Sequence, residues 1–184
     1  MLYTFNTFII FLGILLILCG IILITRKKFI VNKEYINIFM LIFPMLQIRK
    51  MDIEFNFIFF IIYFVVLPAL WIVIMIGRGI YVITNTNDQM VVDTLMDMLD
   101  ENGILYAEKK DKIFLKEYDK DISYSESLNT VHINLKSIRD LSFYKEFKIE
   151  LMSRIKDIDL TVFPSSGVFL IISGFIFIFV IEYM

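Results

Sequence analysis

The sequence predicts an α-helical membrane protein with three transmembrane helices and a small α+β domain between the second and third. Three long apolar runs carry this prediction, namely Leu2 to Ile24, Phe55 to Gly77 and Pro164 to Tyr183. Each matches the roughly 20 residues that a helix needs to cross a ~30 Å hydrocarbon core, and apart from Glu182 none contains an ionisable side chain of Asp, Glu, Lys, Arg or His. The 184-residue chain is 58% hydrophobic, which agrees with such spans.

Shifts in composition divide the chain into five segments. These are transmembrane helix 1 (1–25), a basic linker (26–54), transmembrane helix 2 (55–77), the α+β domain (78–163) and transmembrane helix 3 (164–184). The net charge of −2 implies no basic surface for nucleic acid. The single cysteine, Cys19, lies in the first apolar run, so no intrachain disulfide is possible.

Basic residues at both ends of the linker predict the orientation of the chain. The topology determinants are Arg26, Lys27, Lys28, Arg49 and Lys50. Because cytoplasmic loops are enriched in Lys and Arg, we expect a multi-pass plasma-membrane protein with the linker in the cytosol and both the N-terminus and the domain outside. A cleaved signal peptide is the rival interpretation of the first run, but no Lys or Arg precedes it and no small-x-small site follows.

Two features of the apolar segments predict packing. Residues 36–48 are apolar but too short to span, which leaves an interfacial or re-entrant segment and a strip packed under the helices as equal alternatives. Small residues recur seven positions apart in the first and third runs, where they would let helices approach closely. These helix-packing candidates are Gly13 with Gly20, Ser166 with Ser173, and Gly167 with Gly174.

The segment 78–163 alternates strand and helix patterns. A strand is predicted at 80–84, followed by a helix with a Thr86 to Gln89 capping box and Gly103 at its end. A hairpin turning at 111–112, a weaker strand pair at 122–125 and 131–135, a helix from about 140, and a half-buried strand at 158–162 complete the order. This order resembles a ferredoxin-like split βαβ plan with an inserted strand pair.

That plan predicts how the domain joins its helices. Its first and last strands are antiparallel neighbours, so Gly79 and Phe163 would lie at the same edge of the sheet. The second and third transmembrane helices would then lie side by side, and a displacement between the two strands would be felt by both helices.

The sequence predicts no catalytic, cofactor-binding or metal site. His132, the single histidine, shares a strand face with Asn134 and is interpreted as a solvated residue, because no motif ties a Ser or Cys to it. Four carboxylates follow the outer face of the first domain helix, where a solvated surface is favoured over cation binding. They are Asp93, Asp97, Asp100 and Glu101.

The function predicted from these features is that of a non-enzymatic accessory, sensory or assembly subunit whose α+β domain binds a protein or small ligand. The expected partners are the lipid bilayer and a membrane protein or a second copy of the chain, without cofactors or nucleic acid. One alternative is a small oligomeric pore or transporter subunit with a polar lining from Ser166, Ser173 and Asn56. A second alternative is an enzyme acting on envelope precursors through carboxylates of the domain.

Overall fold

The computed structural model describes residues 2–39, 60–159 and 161–182, with side chains omitted at 2–8, 62–63 and 180–182. The helices are α1 (Leu2–Ile24), α2 (Leu67–Gly77), α3 (Asp88–Glu101), α4 (Tyr144–Asp157) and α5 (Ser165–Glu182). A π-helical turn, Ile62–Val66, leads into α2, and a 3-10 turn spans Lys136–Ile138. Residues 33–39 are also helical.

Within the described residues, six strands form one antiparallel sheet. They are β1 (Ile30–Asn32), β2 (Ile80–Thr84), β3 (Tyr106–Lys109), β4 (Lys112–Leu115), β5 (Lys120–Ser127) and β6 (Thr130–Asn134). Their order across the sheet is β1-β2-β6-β5-β4-β3. The strands β3 to β6 therefore form a meander, and β2 pairs with its last strand.

The hydrophobic core lies on one face of the sheet, beneath α3 and α4. Each strand alternates, so Ile83, Val131 and Ile133 point into the core and their neighbours point to the opposite face. The helices contribute one apolar stripe each. The fully buried helical side chains are Val91, Leu95, Met98 and Leu99 on α3, and Leu151 and Ile155 on α4. The face opposite the helices, which we call the open face, carries the polar residues.

The first domain helix begins one residue later than the predicted capping box implies. The side chain of Asn87, not Thr86, caps α3 by accepting a hydrogen bond from the amide of Met90 at 2.9 Å. Gly103 follows the helix with a φ of 65°, as predicted for a C-terminal left-handed residue. The predicted strand at 80–84 is confirmed as β2, and the predicted hairpin is confirmed as β3 with β4, with its turn at 110–111 rather than at 111–112.

The prediction of three transmembrane helices is corrected by the structure. Among the described residues, no helix combines the length and the apolar character needed to cross a membrane. For this part of the chain the predicted membrane fold class, plasma-membrane location and orientation are therefore wrong.

The ferredoxin-like plan is also wrong. The described residues of 158–162 form no strand, and β1, from the predicted linker, occupies the sheet beside β2 instead. Because β6 takes the other edge of β2, no edge of that strand remains for a later segment. The predicted inserted pair, β5 and β6, lies at the centre of the sheet.

The junctions with the apolar helices differ from the prediction for the same reason. Gly79 lies at the start of β2, where its carbonyl accepts a hydrogen bond from the amide of Leu135. Phe163 lies at the opposite end, where its carbonyl accepts a hydrogen bond from Asn129 in the β5–β6 turn. As a result α5 packs against α1 rather than α2. Most of the predicted interfacial segment, residues 40–48, and Arg49 and Lys50 lie outside the described residues.

Candidate functional site

A concavity on the open face of the sheet is the candidate site. It has a volume of about 520 Å³ and lies over β5 and β6. Its polar lining comes from Lys33, Ser123, Ser125, Ser127, His132 and Asn134. We call this concavity, together with the residues that line it, the open-face pocket.

The alternation of β5 and β6 places these side chains together. Ser125 is the register partner of His132, and Ser123 is the partner of Asn134. Residues opposite each other in an antiparallel pair have Cβ atoms about 4.5–5.5 Å apart. The intervening core residues, such as Tyr124 opposite Ile133, point to the other face and fix the register. The pocket lining is therefore set by the same pattern that builds the core.

Lys33 reaches the pocket from the first position of the helical segment 33–39, directly after β1. Asn32 caps this segment, since its Oδ1 accepts a hydrogen bond from the amide of Glu34 at 3.1 Å and its Nδ2 donates one to Glu34 Oε1 at 2.9 Å. The pairing of Val31 with Val82 holds the preceding strand against the sheet. A residue from the predicted linker thus completes a pocket of the α+β domain.

The electrostatics of the pocket are dominated by Lys33 and His132. Burial, reinforced by the nearby positive charge of Lys33, holds the pKa of His132 below its ordinary value. At neutral pH the imidazole is therefore uncharged and offers one donor and one acceptor. Asp121, which also lies on β5, is engaged elsewhere through an ion pair with Lys112 at 2.7 Å.

Within the described part of the chain, no hydrogen bond joins a pocket serine to His132. The polar groups instead converge as hydroxyl, amide and ammonium donors around one space. His132, predicted to be solvated, is half-buried in this space.

The predicted glycine positions meet between α1 and α5. A Cβ on Gly13 would lie 2.8 Å from the carbonyl oxygen of Gly174, and a Cβ on Gly20 would lie 2.7 Å from that of Gly167. The two antiparallel helices therefore approach with backbone nearly touching backbone. Of the two predicted serines, Ser166 has a buried hydroxyl without a partner among the described atoms. Ser173 is half-buried.

Two asparagines that sequence reasoning missed attach this helix pair to the sheet. The Nδ2 of Asn85 donates hydrogen bonds of 2.8 Å to the carbonyls of both Leu23 and Lys27 at the end of α1. The Nδ2 of Asn129 donates to the carbonyl of Phe163 and, at 3.1 Å, to the hydroxyl of Ser165 at the start of α5. Both asparagines have left-handed backbone conformations, with φ of 58° and 54°. Asn tolerates that conformation in turns, which is the signal the sequence offered.

The other predicted candidates form no site. Among the described residues, no cluster of three or more His, Cys, Asp or Glu side chains could hold a metal ion. Of the acidic residues on α3, Glu101 forms an ion pair with Arg154 and Asp100 accepts a hydrogen bond from the Tyr106 hydroxyl. Arg26 and Lys27 are exposed at the end of α1. Lys28 donates a hydrogen bond to the carbonyl of Ile158.

Comparison with known proteins adds nothing to this geometry. No protein-family model, curated protein or solved structure matches the chain. Any function must therefore be argued from the residues of the pocket and from their surroundings.

Proposed function

We propose that the chain is a non-enzymatic binding protein whose α+β domain holds a small polar ligand in the open-face pocket. The observation that supports this proposal is the concavity on β5 and β6, into which Lys33, His132 and three serines project. Its volume of about 520 Å³ falls within the range of small-molecule sites, roughly 300–1,000 Å³.

The chemistry of the lining favours a polar ligand. Six of the eight residues that line this pocket have polar or charged side chains other than tyrosine, and most small-molecule pockets have only a few such groups. An apolar ligand would remove these groups from water and leave them without hydrogen-bond partners, which makes the free energy of binding less favourable. A ligand rich in hydrogen-bonding groups replaces the water that they bind.

The position of the pocket supports an accessory or sensory role. The β5–β6 turn that closes one end of the pocket carries Asn129, which bonds to the start of α5. The carbonyl of Asn129 also accepts a hydrogen bond from the amide of Thr86. The residue before Thr86 is Asn85, whose side chain donates a hydrogen bond to the end of α1. A ligand that shifts β5 against β6 would therefore act on both apolar helices.

The experiment that tests the proposal is an NMR screen of the full chain in a mild non-ionic detergent. The library contains neutral, anionic and cationic polar fragments, and binding is mapped by amide shifts of β5 and β6. We expect one or more fragments to shift Ser125 and His132 and to be lost in Ser125→Val. The matched control is Ser153→Val, which makes the same change on an exposed face of α4. Fragments that shift no residue of β5 or β6 would contradict the proposal.

A second candidate function is association with a partner protein through the α1–α5 pair. The outer faces of these helices expose many large apolar side chains, among them Phe11, Leu18, Phe169, Phe175 and Phe179. Exposed apolar patches of this kind mark surfaces at which proteins associate. The predicted partner, a membrane protein or a second copy of the chain, stays a prediction. Co-purification from mild detergent should yield a stoichiometric partner or a homo-oligomer, and a chain that sediments alone as a monomer would argue against it.

A further inference from the structure

We infer that the ligand of the open-face pocket is a small anion, which binds through Lys33 and through His132 when the imidazole is protonated. The inference rests on the proposed function, because it names the chemical class of ligand that this pocket would take. The charged group would be a carboxylate, sulfate or phosphate carried by a free small molecule.

The balance of donors in the pocket points to an anion. Lys33 supplies a positive charge, the three serines and Asn134 supply neutral donors, and no carboxylate lines the space. Ammonium and hydroxyl donors form their strongest hydrogen bonds with ionised acceptors. A cation placed in the same space would meet Lys33 without a compensating negative charge.

Lys33 is free to serve this role. Among the described residues it has no ion-pair partner. The adjacent carboxylate of Glu34 is engaged instead, with Asn32 at 2.9 Å and with Arg78 at 3.9 Å. A ligand anion would therefore not have to displace an existing partner of Lys33.

The elements packed against His132 bring one charged group towards it. On β2, the open-face neighbours Ile80, Val82 and Thr84 do not titrate. On β5, the register partner is Ser125. Lys33 supplies the charge, and it disfavours the imidazolium.

The charged residues of β5 are occupied elsewhere. Lys120 pairs with Asp140, and Asp121 pairs with Lys112. Glu126 accepts a hydrogen bond from the amide of Asp88 at the start of α3, on the other side of the sheet. The positive charge of Lys33 repels a protonated His132. An anion bound between the two side chains would attract both of them.

Protonation of His132 and binding of the anion favour each other. An anion favours the charged imidazole, so it raises the pKa of His132 in the complex above that in the free protein. By linkage, the anion then binds more tightly as pH falls through the titration of His132. If binding raises this pKa by about one unit, the affinity rises by at most about tenfold, a limit reached once the pH lies below both pKa values.

Sulfate is the probe for this test, because its charge does not change between pH 5 and 8. His132 is the single histidine of the chain, so its ring protons give an unambiguous NMR signal. The full chain is titrated from pH 5 to 8 with and without sodium sulfate, at constant ionic strength set with sodium chloride. We expect sulfate to raise the pKa of His132 by about one unit and to bind more tightly at the acidic end, by up to about tenfold.

Three variants assign the effect to the pocket. Lys33→Gln should weaken sulfate binding about tenfold or more and, without sulfate, should raise the pKa of His132 because the neighbouring charge is gone. Lys110→Gln removes the same charge at the exposed tip of the β3–β4 hairpin and should leave both values unchanged. His132→Asn should keep sulfate binding but lose its pH dependence.

The outcomes separate this inference from the proposed function. A pKa of His132 that does not respond to sulfate overturns the inference, as does an equal response in the wild type and in Lys33→Gln. If neutral fragments bind at Ser125 while sulfate has no effect, the ligand is not an anion but the proposed function stands. If neither sulfate nor any fragment reaches the pocket, both fail.

Discussion

Replacement of Asn85 is expected to loosen the attachment of α1 to the sheet. The side chain is 1% exposed and its Nδ2 donates two hydrogen bonds of 2.8 Å, to the carbonyls of Leu23 and Lys27. Asn85→Ala removes both donors, at about 0.5–1.5 kcal/mol each. It also places alanine at a φ of 58°, which costs about 1 kcal/mol more. We therefore expect the free energy of unfolding to fall by about 2–4 kcal/mol, the sum of these contributions.

The assay is urea unfolding of the full chain in a fixed non-ionic detergent, followed by far-UV circular dichroism. A change in midpoint at constant slope reports stability alone. Asn85→Asp separates the two contributions, since aspartate has the same shape and tolerates the left-handed backbone but, when ionised, cannot donate. It should destabilise at least as much as alanine at neutral pH. A loss below about 1 kcal/mol for Asn85→Ala, the value of a single hydrogen bond, or wild-type stability for Asn85→Asp would refute the reasoning.

Three further predictions concern packing and titration. Gly20→Ala should destabilise the chain by about 1–2 kcal/mol in urea unfolding, because the new Cβ would lie 2.7 Å from a backbone oxygen and overpacking outweighs the gain in helix propensity. The control Gly103→Ala meets no atom within 4 Å and measures only the cost of a positive φ, about 1 kcal/mol; an unchanged or increased stability of Gly20→Ala would contradict the close approach. Leu95→Ala should cost about 2–5 kcal/mol by the same measurement, since Leu95 is fully buried under the sheet; a loss below 1 kcal/mol, the scale of a surface change, would place it outside the core. Burial and a hydrogen bond with Tyr81 raise the pKa of Tyr144 to about 12, so the stability it contributes is present below pH 10 and is lost as pH rises towards 12. Tyr144→Phe should therefore flatten the alkaline loss of stability relative to the wild type, and an unchanged pH profile would count against the shift.

Local patterns accounted for much of the α+β domain. The β-branched run at 80–84, the apolar stripe of α3 and the polar break at 111–112 each specify structure through residues close in sequence. The seven-residue spacing of Gly13 and Gly20 likewise identified a helix face, and the structure shows which face it meets. Periodicity was informative wherever the interacting residues lie within one element or one turn.

The errors in the sheet share one physical origin, which is competition for partners between segments far apart in sequence. The alternation at 158–162 satisfies the pattern of a half-buried strand, but β1 and β6 occupy both edges of β2. The three-residue strand β1 is too short to give a periodic signal of its own. For the apolar runs, length and hydropathy predicted membrane spans, whereas no described helix combines the length and the apolar character needed to cross a membrane. Hydropathy alone was therefore not enough to assign their role.

The candidate site illustrates the same division. From the sequence alone, the alternation of β6 placed His132 and Asn134 on one face of a strand, and the net charge of −2 predicted no basic surface for nucleic acid. Only the tertiary structure decided that three serines of β5 face them and that Lys33 joins them from residues assigned to a linker. The face on which a side chain lies depends on its own strand, where the period of two is a local property of the backbone. The identity of the residue opposite depends on register and strand order, which are set by the packing of the whole core.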